Sequence, residues 1–210
     1  MSKNKHSHSD WKIPTGFLQG DRRAVARTIS QIEHGEVMAG AVSAALREHL
    51  GRAHVLGITG APGAGKSTLV HAMLGELLSR GQRIAVVAVD PSSPVSGGAV
   101  LGDRVRMGKH GAHPDVFIRS LATRGHLGGL SSSTEEIVDV LDAAGFNTII
   151  IETVGAGQSE VEKTWVSGFH NCRKSTKSPK LRLPVCLKFA SMAQRSITAM
   201  PRATIWFKAV

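Results

Sequence analysis

The stretch Gly60-Ala61-Pro62-Gly63-Ala64-Gly65-Lys66-Ser67 determines the fold. It fits the pattern G-x-x-x-x-G-K-[ST], with an apolar run before it and a helical pattern after it. Glycines let the backbone turn its N–H groups towards phosphate oxygens, and the N-terminus of the following helix favours the same anions. In such a loop the lysine reaches the β- and γ-phosphates, and the serine hydroxyl binds Mg²⁺. The stretch therefore predicts a phosphate-binding loop (residues 60–67) for a nucleoside triphosphate.

Short apolar runs alternate with helical patterns around this loop. The candidate strands span residues 54–59, 83–89, 116–119 and 148–151. Helices are predicted over residues 67–80, ending at Gly81, and over residues 134–144, ending at Gly145. Ser132 or Ser133 has capping-box spacing to the acid three residues later. This alternation predicts an α/β fold with a mainly parallel sheet and flanking helices.

Two amphipathic segments precede the first strand. Residues 21–34 have helical spacing, with Asp21 as the predicted cap and Gly35 as the stop. Residues 36–51 carry a second apolar stripe that ends at Gly51. We interpret both as packing helices without chemistry. The expected organisation is an N-terminal helical extension over residues 1–52 and a nucleotide-binding domain over residues 53–162.

The positive charge of the chain is concentrated in its last part. The formal net charge is +10, but residues 1–162 contain all 16 acidic residues and balance them with lysine and arginine. The tail (residues 163–210) has ten basic residues and no acidic ones. We expect it to be disordered, and it lacks the interleaved aromatics and the recognition helix of a nucleic-acid-binding protein.

Nothing in the hydropathy pattern indicates a membrane or a secretory signal. No apolar run approaches the roughly 20 residues that span a bilayer. The first ten residues, MSKNKHSHSD, contain neither an apolar core nor an Arg-rich amphipathic pattern. We therefore expect a cytoplasmic protein that binds neither membranes nor nucleic acid.

Two acids follow predicted strands. Asp90 ends one apolar run and Glu152 ends another, which would bring both to the sheet edge that holds the phosphate loop. That edge suits an acid that binds a metal or orients water, although an aspartate before Pro91 also suits a plain turn. Glu152-Thr153-Val154-Gly155 has the spacing of a switch element, in which the glycine N–H senses a γ-phosphate.

Five stretches together resemble the ArgK/MeaB family of P-loop GTPases, which includes the methylmalonic aciduria type A protein. They cover residues 20–162 in order and read GDRRAVARTIS, GITGAPGAGKSTLV, AVVAVDPSSPVSGGAVLGDRVRM, LATRGHLGG and TIIIETVGAGQSEVE. The resemblance implies GTP as substrate and Mg²⁺ as cofactor. It also implies a partner, adenosylcobalamin-dependent methylmalonyl-CoA mutase or a related cobalamin-dependent mutase, which the GTPase assists as a chaperone. Members of the family are homodimers.

The resemblance also assigns roles to matched positions. Thr68 joins residues 60–67 in the phosphate loop, and Asp90 and Asp103 match acids near Mg²⁺. Glu152 takes the place of the switch aspartate, with Gly155 after it. The implied catalytic residues are Lys66, Asp90 and Glu152. The implied metal ligands are Ser67, Asp90, Asp103 and Glu152. The implied nucleotide contacts are Gly60, Ala61, Pro62, Gly63, Ala64, Gly65, Lys66, Ser67, Thr68 and Gly155.

The sequence departs from the family pattern after Glu162. Family members continue with another strand, an Asn-Lys-x-Asp motif that reads guanine, and helices used for dimerisation. This chain has no Asn-Lys-x-Asp motif, and its tail begins at the same point. The change is typical of a shifted reading frame, a truncation or an assembly error. The alternative is a family variant with a new basic extension. The missing strands predict an uncovered sheet edge, poor stability and aggregation.

The sequence alone leaves three functional hypotheses open. The first is a GTP-hydrolysing chaperone of a cobalamin-dependent mutase. The second is a nucleotide-binding remnant without productive hydrolysis or guanine specificity. The third is a nucleic-acid binder that acts through its basic tail, whose binding would depend on salt and would disappear with residues 163–210.

Overall fold

The computed structural model describes residues 11–60, 63, 65–90, 108–122, 132–153 and 203–209. Its centre is a five-stranded sheet in the order β3-β2-β4-β1-β5. The strands are β1 (His54–Gly60), β2 (Ile84–Asp90), β3 (Val116–Ala122), β4 (Thr148–Thr153) and β5 (Ala203–Ala209). The first four are parallel, and β5 runs antiparallel to β1. The predicted α/β class is confirmed. Strand β3 is longer than predicted because its pairing with β2 continues to the end of both strands, at Asp90 and Ala122.

Among the described residues, the helices that flank the sheet are α1 (Arg22–Glu33), α2 (Ala39–Leu46), α3 (Lys66–Ser79) and α4 (Ser132–Ala143). Asp21 caps α1 as predicted, because its carboxylate accepts a hydrogen bond of 2.7 Å from the Ala24 N–H. The predicted cap of α4 is wrong, since Ser132 and Ser133 already lie inside the helix. Within the described ranges, no helix combines the length and the apolar character that crossing a membrane requires.

The helices cover the two faces of the sheet unequally. Helices α1, α2 and α4 pack on one face, and α3 packs on the other. Alternate strand residues point to opposite faces, so β2 divides its buried side chains between the two cores. Ala85, Val87 and Val89 join the first core, whereas Ile84 and Val86 join the second. The first core also contains Phe17, Val25, Ile29, Val42 and Leu46, so the N-terminal helices and the sheet share one core.

Three buried charged side chains, in two separate contacts, hold this arrangement together. Asp142 on α4 is 1% exposed, and its carboxylate accepts hydrogen bonds from three consecutive backbone N–H groups that lead into β1: Gly51, Arg52 and Ala53. Arg119 on β3 pairs with Glu33 near the end of α1, and both side chains are almost fully buried. These contacts fix the N-terminal helices to the sheet.

The tail contributes the strand β5, so the prediction of a disordered tail is wrong for residues 203–209. All seven residues of β5 pair with β1, with Ile205 opposite Ile58 and Phe207 opposite Leu56. The segment ATIWFKA is rich in β-branched and aromatic residues, which favour strands, and β1 would otherwise present unpaired backbone groups. The predicted uncovered edge is therefore covered beside β1. Residues 163–202 lie outside the described ranges.

Candidate nucleotide-binding site

Three adjacent strands end at the edge of the sheet that carries the candidate site. Strand β4 lies between β1 and β2, and all three run parallel. Their carboxyl ends place Gly60, Asp90 and the pair Glu152–Thr153 at the same edge. Ligands of open α/β sheets bind outside the carboxyl ends of the strands. The parallel pairing thus places the start of the phosphate loop beside the end of β4, which carries Glu152, and Asp90 lies one strand further along the same edge.

The phosphate loop turns from β1 into α3 through left-handed glycines. Gly63 has φ 76°, and Gly65, the N-cap of α3, has φ 82°. A residue with a Cβ is strained in this region, which is why glycine is needed at both positions. The helical hydrogen bonds begin where the Leu69 N–H donates to the Gly65 carbonyl over 3.0 Å. The first-turn N–H groups of a helix lack partners within it, so this helix end suits an anion.

A hydrogen bond joins the first turn of α3 to β4. The Ser67 hydroxyl donates to Glu152 Oε1 over 2.8 Å. Glu152 is 3% exposed, and its register partners are Ile58 on β1 and Ala88 on β2, so it is flanked by strands on both sides. Lys66, next to Ser67, is itself buried at 8% exposure. The structure therefore brings Ser67 and Glu152 into contact, and the neighbouring residue Lys66 is buried at the start of the same helix.

The other predicted site residues divide into two groups. Thr68 lies exposed in the first turn of α3, and Asp90 is the last residue of β2, where the backbone is described. Asp103 and Gly155 lie outside the described residues, as do three phosphate-loop positions: Ala61, Pro62 and Ala64. Sequence reasoning named both Ser67 and Glu152 but missed their direct contact, because that contact depends on β4 pairing with β1.

The donor set defines what this site can bind. A hydroxyl and a carboxylate oxygen 2.8 Å apart are hard oxygen donors, the type that Mg²⁺ prefers. The adjacent helix N-terminus and the Lys66 side chain suit phosphate oxygens. These residues fit a magnesium ion with a bound polyphosphate. A strand, a glycine-rich loop and a helix in this arrangement on a parallel sheet define the class of P-loop nucleoside-triphosphate-binding proteins.

Comparisons with known proteins narrow this class to a family. Residues 22–169 match the family described as methylmalonyl Co-A mutase-associated GTPase MeaB, so the chain belongs to this family of GTPases. A relative from Pyrococcus horikoshii is 51% identical over 144 residues, which cover 69% of this chain and 45% of the relative. The GTPase ArgK of Escherichia coli is 43% identical over 148 residues, which cover 69% of this chain and 45% of ArgK.

A solved structure agrees with the sequence comparisons. The crystal structure of a LAO/AO transport system kinase is 32% identical and superimposes with a TM-score of 0.53, covering 70% of this chain and 43% of that one. The chain spans about half the length of the curated relatives that it matches, with 45%, 44% and 50% of three of them covered. The family and the fold follow from these matches.

Proposed function

We propose that this chain binds GTP with Mg²⁺ and hydrolyses its γ-phosphate, in the manner of an ArgK/MeaB GTPase that assists adenosylcobalamin-dependent methylmalonyl-CoA mutase or a related mutase. The observation that carries the proposal is the 2.8 Å hydrogen bond from the Ser67 hydroxyl to Glu152, at the start of the helix that follows the phosphate loop. This hydrogen bond joins Ser67, the proposed metal ligand of the loop, to β4, the strand that leads into the predicted switch element.

The proposed roles follow from the positions that match the family's motifs. Residues 60–68 cradle the phosphates, and the Lys66 ammonium binds the β- and γ-phosphate oxygens. Ser67, Asp90, Asp103 and Glu152 hold the metal ion, and Asp90 and Glu152 also orient the attacking water. When bound, Mg²⁺ neutralises the charge that develops on the β- and γ-phosphates. The Gly155 N–H senses the γ-phosphate.

The buried position of Glu152 supports this assignment. A carboxylate that is 3% exposed loses most of its hydration, so it requires hydrogen-bond donors or a cation nearby. The Ser67 hydroxyl supplies one such donor. Mg²⁺ would be held here by the Ser67 hydroxyl and the Glu152 carboxylate, which are the hard oxygen ligands that it prefers.

The partner is proposed from the family description, which names a methylmalonyl-CoA mutase. The alternative is a nucleotide-binding remnant that lacks productive hydrolysis and guanine specificity. The absence of an Asn-Lys-x-Asp motif from the sequence favours this alternative for base recognition. The two functions share the phosphate contacts and differ in turnover.

Titration of Mg²⁺-GTP against the purified chain tests the shared part of the proposal. We expect Lys66→Ala to weaken GTP binding roughly 10- to 100-fold, because one charge-assisted hydrogen bond contributes about 1.5–3 kcal/mol. Lys12→Ala is the matched control, since Lys12 is exposed and precedes the described helices, and it should leave the affinity unchanged. Equal affinities of Lys66→Ala and the unmodified chain would disprove the phosphate-loop assignment.

The same titration with ATP tests whether the chain recognises the base in addition to the triphosphate. A site that pairs a buried polar group with guanine discriminates by roughly 10⁴ or more, because adenine leaves that group unpaired. Without the guanine-reading motif, we expect GTP and ATP to bind with similar, weak affinity through the triphosphate and Mg²⁺. A strong preference for GTP would show that another part of the chain reads the base.

A further inference from the structure

Strand β5 forms one edge of the sheet. Among the strands that the structure describes, it has a neighbour on one side only, β1, with which all seven of its residues pair. Successive residues of a strand turn their N–H and C=O groups to opposite sides, so alternate residues of β5 direct these groups away from β1. A row of such groups at a sheet edge is a template for pairing with another strand. The outer edge of β5 is therefore a candidate interaction surface.

The hydrogen bonds of β1 identify the residues of β5 whose backbone groups point outward. The His54 N–H donates to the Asn147 carbonyl over 2.9 Å, on the side of β4. The next residue, Val55, therefore turns its backbone groups towards β5, where it pairs with Lys208. Alternation from this pair gives the outward residues of β5, which are Ala203, Ile205, Phe207 and Ala209.

This edge is complementary to a second copy of itself. When two β5 strands run antiparallel about a twofold axis at Trp206, Ile205 lies opposite Phe207 of the second copy, and Ala203 lies opposite Ala209. All of these are outward residues, so each of the four resulting pairs exchanges two hydrogen bonds. An axis at any other residue pairs less of the strand. An axis between two residues sets outward residues against residues that already bond to β1.

The charge of β5 favours antiparallel over parallel pairing. The strand has one charged residue, Lys208, and contains no proline or glycine. In the antiparallel pair the two Lys208 residues lie four register positions apart, about 14 Å, which exceeds the Debye length of about 8 Å at physiological ionic strength. Parallel pairing in register would set them side by side, where like charges are destabilising.

We propose that β5 mediates dimerisation of this chain through antiparallel pairing with β5 of a second copy, centred on Trp206. The two five-stranded sheets then join into one continuous sheet. The contact uses the β5 edge of both copies, so it closes after two chains. Strand direction reverses across the twofold axis, so the two phosphate loops lie at opposite edges of the joined sheet, and each copy keeps its own candidate site.

Sedimentation velocity of the 210-residue chain over roughly a hundredfold range of concentration tests the association, because dimerisation follows mass action. We expect a 22.3 kDa species to be replaced by one of twice that mass as the concentration rises. Ile205→Pro removes an outward N–H and should weaken the dimer roughly tenfold or more, since proline is tolerated on an edge strand but cannot donate. Ile205→Val keeps the N–H and is the matched control. A chain that stays monomeric, or equal dimerisation of the two variants, would overturn the proposal.

Disulfide cross-linking tests the register independently, in a background that carries Cys172→Ser and Cys186→Ser. Trp206→Cys sets two thiols opposite each other at the axis, where the Cα atoms of such a pair are about 4.5 Å apart and within reach of a disulfide. Thr204→Cys is the matched control, since its two copies lie about 14 Å apart. We expect a covalent dimer from Trp206→Cys alone. Equal yields from both variants would mean parallel pairing or random collision and would contradict the proposal. If Trp206→Cys fails to fold, the sedimentation result decides.

Discussion

Replacing Asp142 by alanine is expected to lower the free energy of unfolding by about 3–5 kcal/mol. The buried carboxylate accepts hydrogen bonds of 2.5 Å from Gly51, 3.1 Å from Arg52 and 2.8 Å from Ala53. Alanine leaves these three backbone donors without their acceptor, and Ala53 itself is buried. Each stranded buried donor costs about 1–3 kcal/mol. Urea denaturation of the two proteins measures the difference.

Asp139→Ala is the matched control on the same helix. Asp139 is half-buried, and its carboxylate accepts a hydrogen bond from the neutral Ser43 hydroxyl over 2.9 Å. Loss of this hydrogen bond should cost roughly 1 kcal/mol, because its donor is neutral. If the two alanine variants unfolded at the same urea concentration, the hydrogen bonds from the backbone before β1 to Asp142 would contribute little to the free energy of unfolding.

Breaking the buried ion pair between α1 and β3 should be comparably destabilising. Glu33→Leu is expected to cost about 3–5 kcal/mol, because it leaves the buried Arg119 guanidinium without its counter-ion. Arg119 is 5% exposed, and its Nη2 also donates to the Ser30 hydroxyl over 3.0 Å. Combining Glu33→Leu with Arg119→Met should recover much of the loss, since no buried charge remains.

A double-mutant cycle by urea denaturation measures this coupling. Arg27→Ala on the exposed side of α1 serves as the control and should change stability by less than about 0.5 kcal/mol. Additive effects of Glu33→Leu and Arg119→Met would mean that the two side chains do not depend on each other. The attachment of α1 to the sheet would then depend on apolar contacts in the shared core and not on this ion pair.

The local sequence was sufficient for the parts of the fold that depend on short-range rules. The four parallel strands, the cap at Asp21 and the glycines that end helices follow from hydrophobic periodicity and backbone freedom, and Gly35, Gly81 and Gly145 all have positive φ. The turn from β1 into α3 was equally predictable, because the positive φ of Gly63 and Gly65 favours glycine. Resemblance to a family then matched Glu152 to the switch aspartate, without predicting its contact with Ser67.

Long-range contacts were not predictable from local patterns. The three N–H groups held by Asp142 lie about 90 residues away along the chain, and so does the partner of Arg119. Strand β5 was missed because its sequence follows a long basic stretch, and its pairing depends on the open edge of β1 rather than on its own propensity alone. Contacts of this kind follow from topology, which only the folded chain reveals.

We propose that the phosphate loop and Glu152 form a magnesium-dependent GTP-hydrolysing site. Single-turnover hydrolysis by the 210-residue chain, with the protein in excess over GTP and with saturating MgCl₂, is the sharpest test. We expect phosphate release that requires Mg²⁺ and that falls roughly 10²-fold in both Lys66→Ala and Glu152→Gln. Binding of GTP without release above the uncatalysed rate, or equal release by Lys66→Ala, would contradict it.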